Sequence, residues 1–430
     1  MSKFQLVLTG VFGACILLGV LIFSLGKFGS GQSLATVVVW GPLPSSYFSD
    51  LVTAAGLKDS KTIKIDYVQK DEAKFEKDFI EALASNQGPD LFFLPQDLIL
   101  KYKNKIFPIP YKNFPERNFK DTFIEEGELY LAPEGVLAVP FTVDPLVMYW
   151  NRTIFSNVGL GTPPKFWSEF YDLTPRLTTK DGALNVRQSA IAFGEYGNVS
   201  HATEILSTLI MQAGGVISGR QNGEVVSFLQ YKFNSPVLPA TAALGFYTEF
   251  INPLKPFYSW NRSLPSSRNY FISGDLATYF GYASEIADIQ NKNPNLNFDV
   301  AKMPQSTESE KVLTFGKMNA LAVTKASKNI APAVQVAMLF SSQPVILKLS
   351  ELTKLPPVRR DLLTQKPTDA FMSIFYDSAI QSRGWLQPDR AETNTIFKEM
   401  IESVTAGRRT AGESVQRTDE EINLLFGSGK

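Results

Sequence analysis

In this chain of 430 residues, the side chains with the types and placement to do chemistry are aromatic rings near turns and a few isolated carboxylates and amides. Trp40, Tyr196, Trp260, Tyr282 and Trp385 each fall in or beside a loop that follows an expected strand, or at a turn. Flat rings suit the apolar C–H faces of a polyhydroxylated molecule such as a sugar, while carboxylates and short polar side chains suit its hydroxyls. Each ring also has a plainer reading as core or rim, and Trp150 and Trp167 are assigned to packing. Asp97, Asp144 and Glu285 are the candidate carboxylates, with Gln96, Asn198 and Asn394 as amides. Ser45 and Ser46 either donate to a ligand from the start of the first helix or cap that helix. Asp97 and Asp144 also raise the question of glycoside hydrolysis, which needs two carboxyls about 5–10 Å apart, one of them with a raised pKa.

Other chemistries have too few participants. The only histidine is His201 and the only cysteine is Cys15, so no disulfide framework is possible, and the usual zinc triads and His-based catalytic sets have too few members. No metal or cofactor is expected, and His201, beside Ser200 at a helix start, reads as a capping or packing residue. Lys+Arg 42 against Asp+Glu 42 gives a formal charge of zero, so no global field favours nucleic acid. With 44% hydrophobic residues, the chain has the material for two domains of ordinary size.

The elements that must position these groups alternate. Thr36–Trp40 reads as a strand, Ser45–Ala55 as a helix, Thr62–Val68 as a strand, Asp71–Ala84 as a helix with Asp71 as N-cap, and Leu91–Leu94 as a buried strand. This βαβαβ order argues a parallel sheet covered on both faces, with ligands beyond the carboxyl ends of the strands. Further on, Val139–Phe141 reads as a strand, Thr142–Pro145 as a turn, and Leu146–Trp150 as a strand entering a second domain. Helices are expected from Val199 to Gln212, after Ser235-Pro236, and over 331–341, 344–352, 369–383, 392–406 and 414–426.

Several stretches carry a resemblance. Val139–Trp150, then Tyr-Trp-Asn-Arg-Thr-Ile-Phe from Tyr149, Thr-Pro-Pro-Lys-Phe-Trp-Ser-Glu-Phe from Thr162, Gly-Pro-Asp at 88–90 and Leu-Pro-Pro-Val-Arg-Arg-Asp-Leu from Leu355 are similar to the extracellular solute-binding proteins of ABC importers, the sugar-binding, maltose-binding-protein-like group in particular. The resemblance runs from about Thr36 to Leu425. It implies an α/β, two-lobed periplasmic-binding-protein-like fold of type II, with lobe 1 over 34–142 plus 275–325 and lobe 2 over 143–274 plus 326–430. Tyr270–Gly281 and Gly316–Val323 resemble the family's second and third crossings between lobes, with pivots at Thr142, Gly274 and Gly316. It also implies ligand contacts at Asp144 and in the polar loop Gln96-Asp97, a carbohydrate solute, an ABC permease as partner, a monomer, and no enzymatic turnover. The family's Gly-x-Trp is replaced here by Gly281-Tyr282-Ala283, which changes the stacking pattern.

Leu6–Leu25 holds no charged side chain and is long enough to span a bilayer. It lacks a small-residue cleavage pattern, so residues 1–33 are read as a retained single-pass anchor, the N-terminal transmembrane helix, followed by a Gly/Ser linker. Cleavage as a signal peptide and lipidation at Cys15 are the alternatives. The binding domain is expected on the extracytoplasmic side, mainly from the resemblance. A tethered sensor without a transporter and a carbohydrate-active enzyme are the competing functions.

Overall fold

The β-branched run at the start of the domain forms β1 (Ala35–Gly41), which pairs in parallel with β2 (Ile63–Gln69) and with β3 (Leu91–Pro95). The computed structural model describes residues 34–233, 235–307 and 311–428. The anchor, the linker and Cys15 lie outside them. Among the described residues, no single helix is long and apolar enough to cross a membrane. Two compact units divide the chain, one of residues up to Phe92 with Val323–Val345, the other of Phe93–Ala322 with Ile346–Lys430.

In the first unit, α1 (Ser45–Ala54) and α2 (Glu72–Ala84) make the crossovers between the parallel strands. Asp71 caps α2 as its position suggests, its carboxylate accepting from the Ala73 N–H at 2.8 Å. Phe75 and Phe79 on the inner face of α2 are buried, and the Phe79 ring lies 4.5 Å from that of Phe92. Phe48 of α1 stacks on Tyr67 at 3.8 Å and on Phe340 at 5.2 Å. Each such buried ring contributes about 1.5–3 kcal/mol. Asp90 is buried just before β3 and ties it to β1, its Oδ2 accepting from the Val38 N–H at 2.9 Å.

The second unit is built on β4 (Val139–Asn151), a strand of 13 residues. Around it lie β5 (Val186–Ile191), β6 (Leu276–Tyr282), β7 (Phe298–Ala301) and β8 (Thr314–Val323). The first half of β4 pairs antiparallel with β8, and its second half with both β6 and β7; β6 in turn runs parallel to β5. Helices α3 (Ala202–Gln212), α4 (Arg390–Thr405) and α5 (Ala411–Ser428) belong to this unit. Its core is aromatic: the Phe193 ring lies 4.9 Å from Tyr247 and 5.4 Å from Phe280, with Trp167 and Phe170 beside them.

Three differences from the sequence reading stand out. No turn forms at Thr142–Pro145; β4 is continuous, with Asp144 opposite Lys317 and Pro145 opposite Gly316. A proline removes one ladder donor without ending a strand, and the one register shift of this pair, between Asn319 and Ala320, falls opposite Phe141. Leu276–Tyr282, expected to return the chain to the first lobe, pairs with the second half of β4 and with β5, so the limits of the compact units differ from the expected lobe boundaries. The helix expected from Val199 starts only at Ala202, because His201 takes a left-handed conformation with φ 60°. The late helices form as expected, except that the one over 369–383 ends at Ile380 and Ser382–Arg383 pairs with Thr314–Phe315.

Candidate functional site

The candidate site centres on Tyr282, where β6 ends and a 3-10 turn, Ala283–Glu285, begins. Burial, together with the charges of Glu204, Asp144, Asp97 and Glu126, pushes the Tyr282 phenol well above its ordinary pKa. Four carboxylates thus act electrostatically on one phenol. They come from α3, β4, the turn after β3 and the 3-10 segment Glu125–Tyr130, all within the second unit.

Asp144 stays half-buried on β4 and accepts from the Ser284 N–H at 3.0 Å. Burial raises its pKa to about 6; the Ser284 bonds and the Lys317 charge pull it down and Glu285 pushes it up. This carboxyl therefore changes charge close to neutral pH.

Glu285 anchors the turn. Its Oε1 accepts from the Tyr282 N–H at 2.8 Å and lies 2.7 Å from His201 Nε2; its Oε2 accepts from the Tyr279 hydroxyl at 2.7 Å and lies 2.9 Å from Arg268 Nε. Burial alone would raise its pKa, but the His201 bond and charge, Tyr279 and the Tyr282 N–H outweigh it and hold the carboxyl below its usual range. His201 is the mirror case: burial lowers its pKa, and the Glu285 bond and charge more than reverse that. Its ring meets Tyr282 edge-on at 4.7 Å. The single histidine thus orients the site residue Glu285, beyond the capping or packing expected of it.

Asp97 is engaged by a residue the sequence reading did not single out. Arg390, at the start of α4, donates to both Asp97 oxygens, with Nη2 to Oδ1 at 2.7 Å. Beside this pair, Lys101 Nζ lies 2.8 Å from Asp389, the N-cap of α4. Gln96 is buried, and its carboxamide acts like a neighbouring strand on the edge of β8: Nε2 donates to Gly316 O at 2.7 Å and Oε1 accepts from the Met318 N–H at 3.0 Å. The Tyr130 hydroxyl completes that edge by donating to Met318 O at 3.1 Å.

Tyr196 and Asn394 meet through Thr203, whose hydroxyl lies 3.3 Å from the Tyr196 hydroxyl and donates to Asn394 Oδ1 at 3.1 Å. The structure thus brings Asp144, Tyr282 and Glu285 together around the Tyr282–Ser284 turn, while Tyr196 and Asn394 form a second group through Thr203 and Asp97 a third with Arg390. Other candidates lie elsewhere. Trp260 is 0% exposed and donates from Nε1 to Asn198 Oδ1 at 3.0 Å, while the Asn198 amide closes the loop by donating to Asn261 O and Leu264 O. Trp385 is buried on Phe397 and donates to Ser207 Oγ at 3.2 Å. In both rings the indole N–H is matched inside the core, which is a packing arrangement. Trp40 and Ser45 belong to the first unit, where Lys70 Nζ sits 3.9 Å over the Trp40 ring and Ser45 is exposed without a side-chain cap role, the N-cap being Pro44. Among the described residues, no group of three or more His, Cys, Asp or Glu is placed to hold a metal ion.

Chemically, these groups offer acceptors at the half-buried Asp144 carboxylate and at Asp97, and partly exposed ring surface at Tyr196, while the Tyr282 ring is buried. Residues 42–341 match the family model described as bacterial extracellular solute-binding protein. Among solved structures, a cyclo/maltodextrin-binding protein complexed with maltotetraose is similar at 15% identity, covering 92% of this chain and 98% of that one, with a TM-score of 0.73. The cyclic α-maltosyl-1,6-maltose binding protein from Arthrobacter globiformis is similar at 15% identity over 92% of this chain and 100% of that one, with a TM-score of 0.75. The GacH receptor of Streptomyces glaucescens GLA.O, solved unliganded and with acarbose, is similar at 15% identity over 93% and 100%, with a TM-score of 0.70. At these identities the likeness is one of fold. No curated protein sequence matches the chain.

Proposed function

The chain belongs to the bacterial extracellular solute-binding protein family, and from that premise we propose that it captures a mono- or oligosaccharide outside the cytoplasmic membrane and delivers it to an ABC permease. The observation that carries this reading is the family match over residues 42–341, supported by the placing of Asp144 and Glu285 on the turn that starts at Tyr282. A ring bordered by acceptors is the equipment that a hydroxyl-rich ligand needs. Asp144, Asp97, Tyr196, Tyr282, Glu285 and Asn394 are the proposed contacts. The sugars named with the structural neighbours, maltotetraose and acarbose among them, support an oligosaccharide. Capture works by closure of two lobes about the crossing strands near Thr142 and Gly316, with the bound solute stabilising the closed state over the open one. The permease reads that closure. In this proposal the chain is a monomer, held at the membrane by the Leu6–Leu25 segment, and releases its solute unchanged.

The test is thermal unfolding of the full chain with maltotetraose, acarbose, amino acids, polyamines and anions. A specific ligand at about 100 times its Kd adds about 2.7 kcal/mol, a rise on the order of 2 °C for a chain this long. A shift with one sugar class that Asp144→Ala abolishes is the expected result. A shift with a charged solute alone would overturn the substrate class, and no shift across the panel would count against solute capture itself.

A further inference from the structure

One buried ionisable group near the site is not among the proposed contacts. Glu126 is 1% exposed, and no hydrogen bond reaches either of its carboxyl oxygens. Its carboxyl presses on β8 at Gly316, where an added Cβ would lie 2.0 Å from Oε2. On the same strand edge, the Gln96 carboxamide holds Gly316 O and the Met318 N–H, and Gln96 directly precedes Asp97, which Arg390 clamps. The Gln96 amide is also packed tightly against Gly384, whose added Cβ would lie 2.6 Å from Nε2.

We propose that Glu126 is a positioning residue for solute capture: its buried carboxyl, in protonated form, packs under Gly316 and so keeps β8 where Gln96 grips it and Asp97 follows, and losing that proton puts an uncompensated charge beneath this edge, loosens it and weakens capture. The proposal rests on the sugar-capture reading above. An unpaired carboxylate in such a place carries a large desolvation cost, whereas the acid does not. Burial accordingly pushes Glu126 up to about 8, offset only in part by the Gln96 amide and the Arg383 charge.

The surrounding charges leave no cation dedicated to it. Arg383, from the short strand Ser382–Arg383, is paired with Glu125. Lys120, from the helix Glu116–Thr122, bridges Glu116 and Glu128 at 2.8 and 3.3 Å. Asp97 and Tyr130 add an anion and a phenol, Asp144 on β4 is a further acid, and Lys317 on β8 acts on Asp144.

The test compares the full wild-type chain with Glu126→Gln, which keeps the shape and cannot ionise. Hydrogen exchange at the Met318 amide, corrected for its intrinsic pH dependence, reads the Gln96 contact without any ligand. Calorimetry with maltotetraose reads capture. Above pH about 8, the wild-type protection at Met318 is expected to fall by up to about tenfold per pH unit, with affinity falling over the same range, while Glu126→Gln stays level in both. Level protection in the wild type, or an equal fall in Glu126→Gln, overturns the assignment whether or not a sugar binds. Falling protection with level affinity overturns the link to capture. If maltotetraose binds neither chain at any pH, the sugar reading fails, and Met318 protection still decides the role of Glu126.

Discussion

Replacing Gly316 by alanine is the sharpest probe of how β8 is packed. Gly316 does not sit among the residues with positive φ, so alanine fits the backbone and, by restricting the unfolded chain, would by itself add about 0.4–1 kcal/mol of stability. The obstacle is steric. The three atoms nearest the new Cβ all belong to the Glu126 carboxyl, at 2.0, 2.7 and 2.8 Å. That carboxyl ends a flexible side chain, but at 1% exposure it has no open solvent to swing into, so either it or β8 must shift. Overpacking of this kind costs about 1–3 kcal/mol. With an unfolding entropy of about 2.1 cal/mol/K per residue over a chain of this length, 2 kcal/mol lowers Tm by about 2 °C. The decisive assay is a double-mutant cycle by calorimetry with Glu126→Ala. Once the carboxyl is gone, Gly316→Ala should lose most of its cost, giving a coupling of about 1–2 kcal/mol. If Gly316→Ala costs the same in both backgrounds, Glu126 does not fill the space beneath β8, and the positioning argument built on it falls.

Two other changes test separate parts of the second unit. Asp144 has its pKa raised from 3.8 to about 6, so its effect on stability has a definite sign: the unfolded chain releases this proton first, and stability drains away as pH rises from about 4 to about 6. Asp144→Asn removes that loss and should raise the ligand-free unfolding free energy at pH 7 by up to about 3 kcal/mol while weakening maltotetraose capture; a less stable variant at pH 7 would contradict the burial argument. Gln212, in α3, accepts from Trp167 Nε1 and donates to Pro304 O at 3.0 Å and Leu313 O at 2.8 Å. Gln212→Ala strands an indole N–H and the Pro304 carbonyl in the interior, Leu313 O keeping Gln305 Nε2 at 3.1 Å, so urea titration should show a loss of about 2 kcal/mol or more, and a loss below about 1 kcal/mol would mean that water reaches them.

What the sequence made legible followed from periodicity and local chemistry. The βαβαβ start, the Asp71 cap and the late helices depend on patterns within a dozen residues, and they formed within a few residues of the expected limits. The continuous β4 did not, because Asp144-Pro145 is a turn signal when read locally and is overruled by pairing with β8, about 170 residues away. The site shows the same division. Tyr196 and Tyr282 follow or end strands that the pattern could locate, and Asp144 lies inside β4 where a turn was expected, whereas Trp260 and Trp385 have equally suggestive positions, and only their indole partners, Asn198 and Ser207, decide that they face inward. Arg390 and Glu126 carried no local signal beyond ordinary charged pairs, Asp389-Arg390 and Glu125-Glu126. One member of each pair stays local or at the surface, since Asp389 caps α4 and Glu125 meets Arg383. The other member is drawn into the site by contacts some 190 to 290 residues distant in sequence, Glu126 beneath Gly316 and Arg390 on Asp97. Which member turns inward is set by the fold and not by residue type, so adjacent like-type or paired charges before a glycine or at a helix start are where a reading of this family's sequences should look for hidden site residues.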